Sequence, residues 1–310
     1  MADVALAVTD LRISATRRRK ESAVRAALLV AATLSVVITV LIVVSLVREA
    51  LSFVTGPDFE WASLTEIGWF PRRGFFDIGT LIVGSLIVTV VAMVVAWPLG
   101  VGAAIYLSEY AQPRVRRVLK PVLEILAGVP SVVIGFFALT VISPDLVQGI
   151  FTDAPQFNLL AAGIGVGILT IPLIASISED ALRSVPNALR EASEGLGARK
   201  MTTTVQVVIP AAVSGLMAAL IVGVSRAIGE TMVVAIAAGA SGGSLFTTDP
   251  LEPGQTLTAA MASLATGTDQ VRGASGAFQS LFFVGLVLFL ITLLLNVLSE
   301  RFVRRVRQRY

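Results

Sequence analysis

Six stretches of this 310-residue chain stay apolar for about the 20 residues a helix needs to cross a hydrocarbon core: roughly 24–47, 78–107, 120–143, 158–178, 211–240 and 278–299. Polar or charged segments separate them, and the pattern predicts an all-α polytopic membrane protein with six transmembrane helices. Its parts are a basic N-terminal segment 1–23, a first span 24–47, a segment 48–77, a core 78–299 carrying the other five spans, and a basic tail 300–310. The second and fifth spans exceed the minimum and predict tilt, a kink or extension into water. Pro98 is the expected kink in the second, since it removes one backbone hydrogen bond and crowds the preceding turn.

Between two of these spans lies a polar island, residues 191–210, reading EASEGLGARKMTTTVQVVIP. A helix fits it, with Arg190, Glu191, Glu194 and Arg199 toward water and Ala192, Leu196 and Val205 toward a partner. Gly195 and Gly197 are expected to break that helix in two. Pro210 is expected to start the next membrane helix, where its missing N–H costs nothing.

Lysine and arginine orient the chain. With the N-terminus inside, the cytoplasmic segments hold 6, 4, 4 and 5 of them, 19 of the 24, and the outer segments hold only Arg48, Arg72, Arg73 and Arg272. Both termini and the 191–210 island are therefore expected in the cytoplasm. The uncleaved first helix follows Arg17-Arg18-Arg19-Lys20, with no convincing small-residue cleavage site behind it. Outside, residues 48–77 carry Trp61, Trp69, Phe70, Phe75 and Phe76 and suit a short structure at the interface. Residues 241–277, rich in Gly, Ser and Thr, read as a flexible surface loop. Either can meet an external delivery protein. Gly163 and Gly167 have the spacing that lets membrane helices approach closely, and no internal repeat is evident.

Composition narrows the function. The chain is 55% hydrophobic and 15% charged, with a mean hydropathy of +0.84, too apolar for a soluble domain of this size. Cysteine and histidine are both absent, which removes disulfides, thiolate metal sites and the commonest general base. No GxxxxGK[ST] phosphate loop and no zinc signature occurs, so no cofactor is expected and the chain supplies no ATP hydrolysis itself. The pI of about 9.7 reflects topology-setting residues beside apolar spans, not a nucleic-acid partner.

Arg226 and Glu230, in SRAIGETM, are the charges that stand out. Arg226 lies about 24 Å along a helix from Pro210, well inside the bilayer, where a lipid-facing guanidinium costs at least ~2.5 kcal/mol. Glu230 follows at i+4 on the same face. One reading is a structural ion pair. The other is a guanidinium that binds a passing oxyanion, with Glu230 as its counter-charge when the path is empty; Ser225 and Thr231 flank this pathway. Glu109, Glu124, Glu179 and Asp180 fall near cytoplasmic helix ends and read as solvated termini or partners of nearby Arg and Lys.

The island resembles the EAA loop of ABC-importer permeases: Glu-Ala-Ala, three residues, Gly, nine residues, Ile-x-Leu-Pro. Glu191, Ala192, Gly197, Ile209 and Pro210 fit in register, while Ser193 and Val207 depart conservatively. In that family the segment is a cytoplasmic coupling helix docked on the ATP-hydrolysing subunit. Residues 100–139, GVGAAIYLSEYAQPRVRRVLKPVLEILAGVPSVVIGFFAL, and the segment SRAIGETMVV are similar to the phosphate-specific permeases, nearer the PstC branch than its sister PstA. Tyr106 to Tyr110, Lys120, Pro121, Glu124, Gly128, Pro130, Ser131, Gly135, Arg226, Gly229, Glu230 and Thr231 match, while Ile134 stands where that family usually has Tyr and Glu194 where it has a small residue. The resemblance implies the type I, MetI-like importer architecture. It also implies inorganic phosphate as cargo, a sister permease subunit, a dimer of ATP-binding subunits and an external phosphate-binding protein. Alternatives are a permease for sulfate or molybdate, a carrier independent of an ATPase, or a membrane-embedded enzyme.

Overall fold

The structure, a computed structural model, describes residues 15–56, 59–65, 68–239, 242–267 and 275–306. Expectations for 1–14, for Arg272, for part of 241–277 and for the end of the tail lie outside the described residues. The chain divides into two units, Met1–Glu49 and Ala50–Tyr310. Most of the first unit is helix α1 (Ala15–Val54), where Leu, Val, Ile and Ala dominate and Thr33, Ser35, Thr39 and Ser45 are too scattered to form a polar face.

The second unit is built around α2 (Ile78–Tyr110) and α5 (Leu159–Arg183), each long and apolar enough to cross a membrane. Asp77 caps α2 by accepting from the N–H of Gly79, and Asn158 caps α5 by accepting from Ala161 at 2.7 Å. The two helices approach closely because glycines line the seam. A Cβ on Gly163 would sit 2.6 Å from Val91, and one on Gly167 2.9 Å from the carbonyl oxygen of Ala92. This is the close approach expected of small residues at that spacing. Pro98 stands inside α2 without interrupting it.

Two spans differ from the pattern's expectation. The stretch expected as one helix over 120–143 is two: the amphipathic α3 (Pro113–Ala127) and α4 (Ser131–Ile150), parted at Gly128-Val129-Pro130. Pro130 biases Val129 away from helical geometry and supplies no donor, so the break falls inside the apolar run. The stretch expected over 211–240 begins earlier and ends sooner. α6 (Asn187–Gly195) is followed by a turn, and then α7 runs unbroken from Lys200 to Ile228. Pro210 does not start α7 but lies within it. The helix accommodates the missing N–H by widening over Thr204–Val208, where Ile209 donates to Thr204 five residues back. After Gly229-Glu230 a short α8 (Met232–Ala237) follows.

The segments expected outside are more ordered than their composition suggests. β1 (Gly68–Phe70) pairs antiparallel with β2 (Phe75–Phe76), and on its other edge with β3 (Ser244–Leu245), Trp69 standing opposite both Phe76 and Ser244. Trp69 and Phe76 are core residues, packed with Phe53, Leu81, Leu257 and Val284; among the aromatics of 48–77, Trp61 and Phe75 remain exposed. Residues 241–277 are not a flexible loop where described. Gln255, Thr256 and Thr258 are buried, and α9 (Leu257–Ala265) enters the core with Thr256 as its cap. The N–H of Leu257 donates to the Ser85 hydroxyl of α2 at 3.0 Å. A final helix, α10 (Ser275–Val306), completes the set of six described helices long and apolar enough to span a membrane.

Candidate functional site

The break between α7 and α8 lies in mid-span. A Cβ on Gly223 would meet Ile174, and Gly165 faces Val233, so the residues between them stand opposite the middle of α5. In hydrocarbon every backbone polar group needs a partner, and the break finds its partners inside the protein. The N–H of Glu230 donates to Ala227 at 3.2 Å. The Glu230 carbonyl accepts from the Thr258 hydroxyl at 2.8 Å, and its carboxylate Oε1 accepts from the N–H of Val233 at 3.4 Å. Glu230 thus stands one residue before the cap position of α8, held by Thr231, and offers its carboxylate to an N–H of the helix start, a role that its charge alone did not suggest.

Arg226 ends the last turn of α7. Its Nη2 lies 3.6 Å from Glu230 Oε2, yet its side chain is 53% exposed while that of Glu230 is 6% exposed. The expected i+4 pair therefore forms, but asymmetrically: the carboxylate is fixed inside and the guanidinium reaches out with most of its five donors uncommitted. Thr231, half-buried beside it, turns its hydroxyl to the Gly229 carbonyl at 3.4 Å. Ser225 is the member of the expected set that is not brought to the break, because its hydroxyl faces Asn296 of α10 at 3.4 Å. The residue missed by sequence reasoning is Thr258. Its signal was Thr256-Leu257-Thr258 opening a run of helix formers, hidden in a Gly- and Ser-rich stretch.

At the basic end of the fold, α6 and the start of α7 present the other expected residues. Glu191 and Ala192 are exposed, and Leu196 is 90% exposed. Gly197 is the turning point: its φ of +81° lies in the left-handed region, and open space surrounds its Cα. Gly195 is simply the last residue of α6. Ile209 packs against the cluster of Ala104, Leu182, Val208 and Leu216, and Pro210 is exposed. Arg190 does not face water as expected. It turns under α6, where Nη2 donates to Glu109 Oε1 at 2.8 Å and to the Leu182 carbonyl at 2.9 Å, and Nη1 donates to Val185 at 2.6 Å. Of the acidic residues read as solvated ends or partners, Glu179 is a buried partner. It is 1% exposed and paired with Arg116, with Lys120 at 3.3 Å and with Arg183 at 3.9 Å. Among the described residues no group of His, Cys, Asp or Glu could hold a metal ion.

Known proteins agree with this layout. Residues 96–309 match the family described as binding-protein-dependent transport system inner membrane component. A probable ABC transporter permease of Bacillus subtilis, YqgH, is 33% identical over 96% of this chain and 97% of its own length. The phosphate transport system permease protein PstC of Mesorhizobium japonicum is 32% identical over 87% of this chain and 88% of its own. Among solved structures, a bacterial alginate ABC transporter in complex with its pentasaccharide-bound periplasmic protein superposes with a TM-score of 0.65. That match covers 93% of this chain and 98% of that one, at 15% identity, and carries the fold alone. The MetNI methionine transporter superposes at 0.50 over 73% of this chain and 92% of that one, at 19% identity. The chain therefore belongs to the binding-protein-dependent transport system inner membrane components, as a multi-pass permease subunit of an ABC importer.

Proposed function

We propose that this chain is the PstC-like half of an importer for inorganic phosphate. It works beside a sister permease subunit, above a dimer of ATP-binding subunits and beneath an external phosphate-binding protein, with both termini in the cytoplasm. The observation that carries the reading is Arg226: a half-exposed guanidinium in mid-span, held by one buried carboxylate. A lipid-facing position would cost at least ~2.5 kcal/mol, so the exposed side faces a polar path or a second subunit. The planar fork matches two oxygens of a phosphate at once. Relatives named for phosphate transport make phosphate the favoured oxyanion over sulfate or molybdate. Glu191, Ala192, Gly197, Ile209 and Pro210 are proposed to dock on the ATPase. Closure of the ATPase dimer then moves these helices as rigid bodies and alternates access.

Two experiments test this. In proteoliposomes holding the whole complex, phosphate delivered by the cognate binding protein should stimulate ATP hydrolysis. Stimulation by sulfate or molybdate instead would overturn the substrate assignment. Arg226→Lys keeps the charge and loses the fork, so uptake should fall roughly 10- to 100-fold, the worth of a charge-assisted hydrogen bond of ~1.5–3 kcal/mol. The double variant Arg226→Ala with Glu230→Gln removes both charges but keeps an acceptor for the Val233 N–H. If the pair is merely structural, the double variant transports. An anion site leaves it assembled and inactive, so restored uptake would sink the substrate role of Arg226.

A further inference from the structure

α3 and α5 run side by side with a crevice of ≈ 280 Å³ between them. One end is ionic: Lys120 and Glu179 line it, and Arg116 and Arg183 converge on the same Glu179 carboxylate. The remaining wall is mostly apolar, Leu123 and Ala127 on α3 facing Leu173 and Pro172 on α5 with Leu107 and Ala175 behind, and Glu124 and Ser176 are its polar members. From Lys120 to Ala127 is about 10 Å of helix. The crevice is thus a slot with a charged end and a greasy end.

The ionic end is not neutral. Two carboxylate oxygens serve three cations, which leaves most of their donors free, and each of the three side chains is partly exposed. At this end Arg116, Lys120 and Arg183 are set against two carboxylates, Glu179 and Glu124, an excess of one positive charge. α3 has no buried residue, and Val118, Val122 and Ile125 leave its outer side apolar and open. Free phosphate would fit the cations but has no use for the apolar slot, and a hydrocarbon alone has none for the cations. An amphiphile with an anionic head uses both.

We infer that this crevice binds an anionic phospholipid, its phosphodiester on Lys120, Arg116 and Arg183 and an acyl chain along Leu123, Ala127, Pro172 and Leu173. The lipid would fill the α3–α5 seam one helix away from the break that carries Arg226, and the inference does not depend on which oxyanion is transported. The excess of basic residues at this end of the fold suits a head group of the cytoplasmic leaflet.

The test uses the delipidated whole complex in detergent. Dioleoylphosphatidylglycerol or dioleoylphosphatidylcholine is added, and retained lipid is read by native mass spectrometry. Phosphatidylglycerol should be retained in preference, and Lys120→Gln should weaken its retention about fivefold, the effect of one cation at an anionic surface. Ala127→Phe fills the apolar end at an exposed position without touching a charge, and should reduce retention at least as much while elution and thermal midpoint stay unchanged. Should Lys120→Gln fail to assemble, Ala127→Phe alone decides. Equal retention of the two lipids, or wild-type retention in Ala127→Phe, would overturn the inference. Displacement of the lipid by an equal concentration of inorganic phosphate would reassign the cluster as a free-anion site and overturn it too.

Discussion

Replacing Arg190 by alanine should destabilise the basic end of the fold by about 3–5 kcal/mol, the cost of leaving a buried charge unpaired. Glu109 closes α2 with a side chain 7% exposed, and Arg190, 17% exposed, is its partner through two nitrogens at 2.8 and 3.3 Å. The same guanidinium donates to the carbonyls of Leu182 and Val185, which close α5 and lie where a helix has no donors of its own. One side chain thus ties α2, α5 and α6 together and fixes the angle at which Glu191 and Ala192 are presented. Lysine keeps the charge but offers a single nitrogen, so Arg190→Lys should lose only part, roughly 1–3 kcal/mol. Adding Glu109→Gln to Arg190→Ala should recover some of the loss by removing the stranded charge. Thermal unfolding of the detergent-purified complex would read the alanine variant as a midpoint lowered by roughly 5–15 °C, and ATP hydrolysis should uncouple from transport before the fold is lost. An unchanged midpoint in Arg190→Ala, or lysine as damaging as alanine, would refute the clamp.

Gly197→Val should cost about 1–2 kcal/mol or more through its φ of +81°. It should weaken co-purification with the ATPase while leaving membrane insertion intact. For topology, a cysteine at Trp61, 73% exposed, should react with an impermeant thiol reagent added outside. One at Leu196, 90% exposed, should not; reversed labelling would invert the orientation.

The spans were legible because burial in lipid demands long apolar runs, and nothing else in the chain imitates them. Boundaries were not, because hydropathy is blind to where a helix breaks inside an apolar run. Gly128 to Pro130 and Gly229 to Glu230 are such breaks, and each leaves the surrounding sequence apolar. The outer segments misled for the opposite reason. Serine and threonine read as loop there, yet the hydroxyls of Thr256 and Thr258, together with that of Ser85 in α2, are spent on backbone groups that a break or a helix start leaves unpaired. Arg190 was misread because a helical wheel assigns a face, while a long side chain can fold beneath its own helix to reach carbonyls eight residues away. The candidate site was legible as a pair of charges at i and i+4. Its asymmetry, one charge anchored and the other free, depends on Thr258 and Val233, which are remote or unremarkable in sequence.

The two proposed sites share one helix. From the sequence, Pro210 is expected to start the fifth span, which makes the coupling island a separate piece ahead of it. In the fold, α7 is continuous from Lys200 to Ile228, so the second half of the island and Arg226 belong to one helix. From Lys200 to Arg226 is about 39 Å of helix at 1.5 Å per residue. Under the proposed docking, a displacement imposed at the first end needs no relay of side chains to reach the second, because a packed helix moves as a body. Glu230 lies past the end of α7, its carbonyl held by Thr258 and its carboxylate by the N–H of Val233. In the proposed mechanism, motion of α7 relative to that anchor would change the 3.6 Å separation of Arg226 and Glu230, and with it how much of the guanidinium meets an anion.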